Sequence, residues 1–368
     1  MDAERSARAA LSRLAEPCDK EVHELLTRVG AVEAVDRIRS GHGTLARLRA
    51  RVAALDTERD LDIAAKVGAR VVVPGDDEWP ERLADVTVPP WCLWVRGPLD
   101  LGETVERSVA VVGLRTATSY GEQVAADLAA GLAQRGWAVV SGAAFGIDGS
   151  AHRGALAVEG ATVAVLAGGV ERAYPSGHAA LIGRIAAEGL VVSEVAPGSA
   201  PMRSRFLSRN RLIAGMTRGT VVVEADLRSG SRNTVKHATD AGRPVGAVPG
   251  PVTSMTSSGC HQEIRDARAV LVTSAAEVID LVGDLGDDAC VPARGPARPD
   301  DDLPPVDAAV LEAVPVRSAL PLDAIVRSAA HAPLTVRAAL GRLERLGLVS
   351  ESEGTWRKRP QRRTPRAV

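Results

Sequence analysis

The chain has 368 residues, 45% hydrophobic and 25% charged, enough to bury a sizeable core and to fill two or three domains. A formal net charge of -1 excludes a globally basic nucleic-acid binder, so any attraction for a polyanion has to come from local clusters of arginine. Cys18, Cys92, Cys260 and Cys290 stand far apart without zinc or redox spacing, and no apolar run reaches the length of a signal peptide or a bilayer span; we expect a cytoplasmic protein without metal or membrane association.

Residues 1–70 carry apolar positions at helical spacing, among them Leu11, Leu14, Val22, Leu25, Leu26, Val29, Val32 and Val35, and are read as a small helical domain. Pro74, Pro80, Pro89, Pro90 and Pro98 then break any regular pattern, which reads as an extended connector with Trp79, Trp91 and Trp94 packed into a core. Over 71–285, β-rich runs at 109–112, 138–140, 163–166, 190–192, 221–223, 245–248 and 270–272 alternate with amphipathic helical stretches. That alternation predicts an α/β fold, an extended Rossmann-like core whose mostly parallel sheet is covered by helices on both faces. Residues 286–305, rich in Asp, Pro, Gly and Arg, read as a flexible linker. Three helical patterns and a strand-turn-strand over 306–360 suggest a winged-helix domain, and 361–368 form a basic tail.

In an open α/β sheet ligands bind beyond the carboxyl ends of the strands, so the loops there are the places to search. The first, Gly113 to Gly121, offers a sharp turn, Ser119 as an N-cap, backbone N–H groups for an anion and Arg115 as a fork for phosphate. The second, 141–148, has Gly142 and Gly146 for close backbone approach and Asp148 to cap the next helix. The third, 201–211, carries Arg203, Arg205, Arg209 and Arg211 with no acidic residue between them. A helix starting near Phe206 would set that ring beside Arg209 or Asn210 as a stacking platform. The fourth, 224–231, has Ser229 and Gly230 before Ser231, a plausible N-cap; Glu224 and Asp226 are read as pinning loops rather than as a catalytic pair.

Other chemistry lacks its signature. No dinucleotide fingerprint and no GxxxxGK[ST] loop is present. Asp148 with His152, and Cys260 with His261, find no third group to complete a catalytic constellation.

Several stretches resemble, in order and spacing, the bacterial DprA/Smf DNA-processing family: VGLRTATSYG at 112–121, SGAAFGID at 141–148 followed by His152, YPSGH at 174–178, SRFLSRNRLIAGM at 204–216, VVVEADLRSGS at 221–231 and AVPGPVTSMTSSG at 247–259. The resemblance implies an extended Rossmann fold that holds single-stranded DNA by its phosphates, protects incoming strands during natural transformation and loads the RecA recombinase. It implies neither enzymatic activity nor a cofactor, and suggests a homodimer with single-stranded-DNA-binding protein and RecA as partners. By matching positions, Arg115 resembles the phosphate-binding arginine, Arg203, Phe206, Arg209 and Asn210 fall on the basic and aromatic contact stretch, and Gly142, Gly146, Ser229 and Gly230 line the groove. Two departures stand out: His178 and Ala179 where the family has Asn and a basic residue, and SGSRNT for its SGSLxTA. The N-terminal region, comparable to a SAM or helix-hairpin-helix-like domain, lacks the glycines of that segment.

Two other functions compete. The nucleoside-monophosphate phosphoribohydrolases of the LOG family place a nucleotide in a similar crevice, but their PGGxGTxxE motif has no counterpart here. A winged-helix regulator of duplex DNA would need a basic recognition helix, and Glu344 interrupts Arg337, Arg342 and Arg345.

Overall fold

The apolar runs between residues 109 and 272 become strands of one sheet in the computed structural model, which describes residues 2–41, 43–284, 288 and 300–359. In chain order the strands of this sheet are β1 (Ala69–Val72), β2 (Leu93–Arg96), β3 (Ser108–Val112), β4 (Ala138–Ser141), β5 (Thr162–Leu166), β6 (Leu190–Ser193), β7 (Gly219–Val222), β8 (Val245–Ala247) and β9 (Val270–Leu271). They lie in the order β1-β2-β6-β5-β4-β3-β7-β8-β9, parallel from β6 to β9, with β1 and β2 antiparallel at one edge. The core is therefore Rossmann-like.

Every residue of β3, β4, β5 and β6 is buried, as expected of strands covered on both faces. The two-residue period sorts them: Val109 and Val111 pack with Leu128, Leu132 and Ile147, whereas Ala110 and Val112 pack on the other face with Leu212 and Ile213. β3 is the first parallel strand, from which β4, β5 and β6 are laid down to one side and β7, β8 and β9 to the other. The loops leaving β3 and β7 consequently part in opposite directions and open a crevice between them.

β1 lies across the end of the region expected to be helical, and β2 lies in the segment expected to be a connector. Only four residues each, they lie between glycines and prolines that hide the pattern, yet Trp94 of β2 is fully buried, with its indole N–H on the Ser12 hydroxyl at 3.2 Å. Trp79, Trp91 and Trp94 are all core, as expected.

Five α-helices precede β1, of which Ala3–Leu14, Lys20–Val29 and Thr57–Lys66 start with Asp2, Asp19 and Asp56 accepting an amide N–H of the first turn. They are tied to the core by Arg5 on Asp76 at 2.7 Å and by Arg8 on the Trp91 carbonyl at 3.0 Å, and belong with it to one compact unit, Met1–Cys290. Val32, at helical spacing with the apolar set, is nevertheless exposed.

The second unit, Val291–Val368, has among its described residues three helices, Pro305–Ala313, Leu322–Ala329 and Pro333–Arg345, and a three-stranded sheet in which Thr355–Lys358 lies between Leu320–Pro321 and Val349–Ser352, the element order expected of a winged helix. Val310, Ile325, Val336, Leu340 and Leu343 fill its core. Most of the 286–305 linker and all of the 361–368 tail lie outside the described residues, and Pro305 already opens a helix.

Candidate nucleic-acid interface

The crevice at the β3/β7 divergence holds a cavity of about 280 Å³. Gly113, Leu114 and Arg115 come from the loop after β3, Ala144 and Asp148 from after β4, and Ser229, Gly230 and Ser231 from after β7; the helix Arg203–Gly215 adds Phe206, Leu207, Arg209 and Asn210. At its mouth the exposed Arg115 guanidinium sits 5.0 Å from the centroid of the half-buried Phe206 ring. The structure thus brings a phosphate-type donor and a stacking surface side by side.

Deeper, Arg209 is buried and reaches the Val165 carbonyl. Burial, with Asp148 opposing and Arg115 reinforcing, pushes its guanidinium down to about 10. Burial likewise raises Asp148, against the nearby Arg209 charge. Gly142 lies under this guanidinium, where a Cβ would overlap its terminal atoms.

The rim is held by contacts between loops. Gly146, at φ +72°, passes directly against the Leu114 and Arg115 carbonyls, and the Ile147 N–H donates to Leu114 at 3.2 Å. Buried Glu224, at the end of β7, accepts the Thr118 N–H at 2.9 Å, its hydroxyl at 2.7 Å and the Thr256 hydroxyl at 3.0 Å. Glu224 does pin loops. The carboxamide of Asn210 donates to Asn233 at 3.2 Å and to the Gly230 carbonyl at 3.5 Å, steadying the fourth loop.

Several local expectations shift. Thr118, not Ser119, caps the helix Ser119–Ala133, its hydroxyl accepting the Gly121 N–H, so the Thr118 and Gly121 amides expected to face an anion are taken up by Glu224 and Thr118. Asp148 accepts the Gly142 N–H at 3.1 Å and closes its own loop instead of capping a helix. Ser231 is the first residue of the helix Ser231–Asp240, with Ser229 accepting its N–H.

The four arginines of the third loop do not share a surface. They lie on a helix that begins at Arg203, three residues earlier than expected, and its turn of roughly 100° per residue points them in different directions. Arg203 is exposed and Arg209 enters the crevice. Arg205 instead binds Glu16 in two hydrogen bonds of 2.8 and 2.9 Å, and buried Arg211 pairs with Glu194 and with the Cys18 sulfur. Their charge is compensated from distant sequence, which corrects the expectation that both face nucleic acid.

The weak catalytic candidates take structural places. His152 Nδ1 lies 2.8 Å from the Thr162 hydroxyl, Cys260 is buried against the Val223 carbonyl, and His261 Nε2 lies 3.1 Å from the Gly250 carbonyl. Among the described residues no three His, Cys, Asp or Glu side chains gather as a metal site.

Two contacts escaped the sequence reading. Tyr174 packs on Phe206, ring centroids 5.6 Å apart, and Phe145 packs edge-on against His178 at 4.6 Å. The rarity of Phe and Tyr in this chain was the available signal.

The family described as DNA recombination-mediator protein A matches residues 70–283. A DNA processing protein DprA of Mycobacterium tuberculosis is 46% identical over 371 residues, spanning 97% of this chain and 95% of that protein. The chain belongs to the DNA recombination-mediator protein A family. The structure of DprA from Streptococcus pneumoniae superposes with a TM-score of 0.66 at 32% identity, over 77% of this chain and all of that one. That of DNA processing protein A from Helicobacter pylori, described for its single-stranded DNA binding mode, gives 0.53 at 27% identity, over 58% of this chain and 94% of that one. The family match covers the Rossmann-like core of this chain. No helix among the described residues is long and apolar enough to cross a membrane.

Proposed function

We propose that this chain binds single-stranded DNA in the β3/β7 crevice, independently of sequence, and performs no chemistry on it. The reading rests on the 5.0 Å approach of Arg115 to Phe206: a guanidinium for phosphate oxygens beside a ring face for a base, the pairing that suits an unpaired strand. Arg203 adds an exposed cation at the start of the same helix, Arg209 supplies charge from below, and Ser229 and Gly230 line the wall; Gly142 and Gly146, expected to line the groove, are instead buried against the Arg209 guanidinium and the Leu114 and Arg115 carbonyls and set the position of those groups. Asn210 holds the Gly230 loop in position. Against an enzymatic role, Asp148, which lines the cavity, accepts the Gly142 amide of its own loop, and Glu224 accepts the Thr118 amide. The names of relatives from M. tuberculosis and S. pneumoniae, and the DNA-binding mode described for the H. pylori protein, support the same reading. Protection of incoming strands, loading of RecA, contact with single-stranded-DNA-binding protein and a homodimeric cytoplasmic form complete the proposal.

A winged helix reading duplex DNA has less support. Arg342, in its third helix, is bound to Asp307 by two hydrogen bonds of 2.8 and 2.6 Å, and the exposed start of that helix presents Leu334.

Fluorescence anisotropy with unrelated oligonucleotides tests the crevice. Arg115→Ala and Arg203→Ala should weaken all sequences alike and each flatten the logarithmic salt dependence by about 0.7. Wild-type affinity in both variants would overturn the assignment, and release of base from nucleoside monophosphates would favour the phosphoribohydrolase instead.

A further inference from the structure

The chain contains two phenylalanines and two tyrosines, and all four stand at the same end of the sheet. Tyr120 follows β3, Phe145 follows β4, Tyr174 follows β5 and Phe206 follows β6, so each of four adjacent strands is succeeded by one such ring. The core on either face is filled by Val, Ala, Leu and Trp. Tyr120, Phe145 and Tyr174 remain 45, 48 and 46% exposed. Large rings held half in water forgo burial that the core would have given them, and mark a surface that an occupant covers.

Three of the rings are joined through one short segment. Phe206 touches Tyr174 at 5.6 Å, and the segment 174–178 returns to Phe145, whose ring meets His178 at 4.6 Å and lies against the backbone of Gly177. Four residues of chain span at most roughly 14 Å, so one short strand reaches both ends. Phe145 is also next in sequence to Ala144, which lines the crevice. His178 is itself buried and fixed to the Ala143 carbonyl at 3.0 Å, so the ring that supports Phe145 is already set in place. Exposed Arg153 lies near this imidazole: a Cβ on Gly149 would meet His178 at 2.6 Å and Arg153 at 3.2 Å, and the Arg153 guanidinium donates to the Ser150 hydroxyl at 3.1 Å. A ring and a guanidinium, Phe145 and Arg153, thus both neighbour His178.

We propose that Phe145, Tyr174 and Arg153 form a second station for single-stranded DNA, which carries the strand out of the crevice along the carboxyl ends of β4 and β5. Tyr174 bridges the two stations, Phe145 stacks a base and Arg153 takes a phosphate. The occupant is a single strand because ring faces alternate with guanidinium groups, the pattern suited to bases and phosphates in turn. The proposal rests on the crevice reading and extends it.

Anisotropy with two oligonucleotides, one covering the crevice alone and one long enough to leave it, tests the extension. Wild-type protein should bind the long one more tightly. Phe145→Ala and Arg153→Ala should each lose about tenfold on the long oligonucleotide and under twofold on the short one, with Phe145→Trp restoring the loss. Arg115→Ala should weaken both. Wild-type affinity of Phe145→Ala and Arg153→Ala for the long oligonucleotide, with Arg115→Ala still weakened, would overturn the second station and leave the crevice standing. Unchanged binding by Arg115→Ala together with a loss in Phe145→Ala would overturn the crevice reading instead.

Discussion

The Arg209 guanidinium fills the volume that a side chain at Gly142 would need. A buried cation and the glycine beneath it are therefore one structural unit, and Gly142→Ala has to displace either the charge or the end of β4. We expect a loss of about 1–3 kcal/mol in denaturant unfolding, typical of overpacking, together with weakened oligonucleotide binding. An alanine variant as stable as wild type would place the guanidinium elsewhere.

Arg115 and Arg211 should separate binding from stability. Arg115→Ala removes an exposed group and should leave the unfolding midpoint within about 0.5 kcal/mol of wild type while reducing affinity for DNA. Arg211→Ala strands the buried Glu194 carboxylate and should cost about 3–5 kcal/mol, read by the same unfolding experiment. Equal effects of the two on stability would show that Arg211 is not paired as described.

This contrast also shows what was legible in the sequence. The strands from β3 to β9 were visible because Val-rich runs of three to five residues recur between helical stretches, and Arg115, Phe206, Arg209 and Gly142 could be placed from loops at strand ends. β1 and β2 were not, since proline and glycine surround them and only the antiparallel partner across the edge makes them strands. Nor could local sequence show that Arg205 and Arg211 are neutralised, because their acids lie 189 and 17 residues away. Phe145 and Tyr174 carry no local signal for a similar reason: their support comes from His178 and from Phe206 of the helix Arg203–Gly215.

Removing the Glu224 carboxylate should loosen the rim. Glu224→Ala leaves the partly buried N–H of Thr118 and the hydroxyls of Thr118 and Thr256 without this acceptor, which we expect to cost about 1–2 kcal/mol. Hydrogen exchange should locate the effect at the start of the helix Ser119–Ala133; unaltered protection there would remove Glu224 from this role.

His152 gives the protein a pH dependence of known sign. Burial, reinforced by the electrostatic effect of neighbouring His178, Arg209 and Arg153, pushes its imidazole down from 6.5 to about 3. Between those values the unfolded chain binds a proton that the folded chain refuses, so this contribution is complete above pH 6.5 and is lost as pH falls toward about 3. Unfolding free energies across that window should fall less steeply with acid in His152→Asn, which removes the titrating ring. Parallel curves for the two proteins would contradict a neutral buried imidazole.

Because Glu224 and Asn210 fasten the crevice segments to one another and Asp148 closes its own loop, the ordering cost of the rim is met when the protein folds and not when a strand arrives. Association with an oligonucleotide should then be a single fast phase at all concentrations, with no slow isomerisation following the encounter.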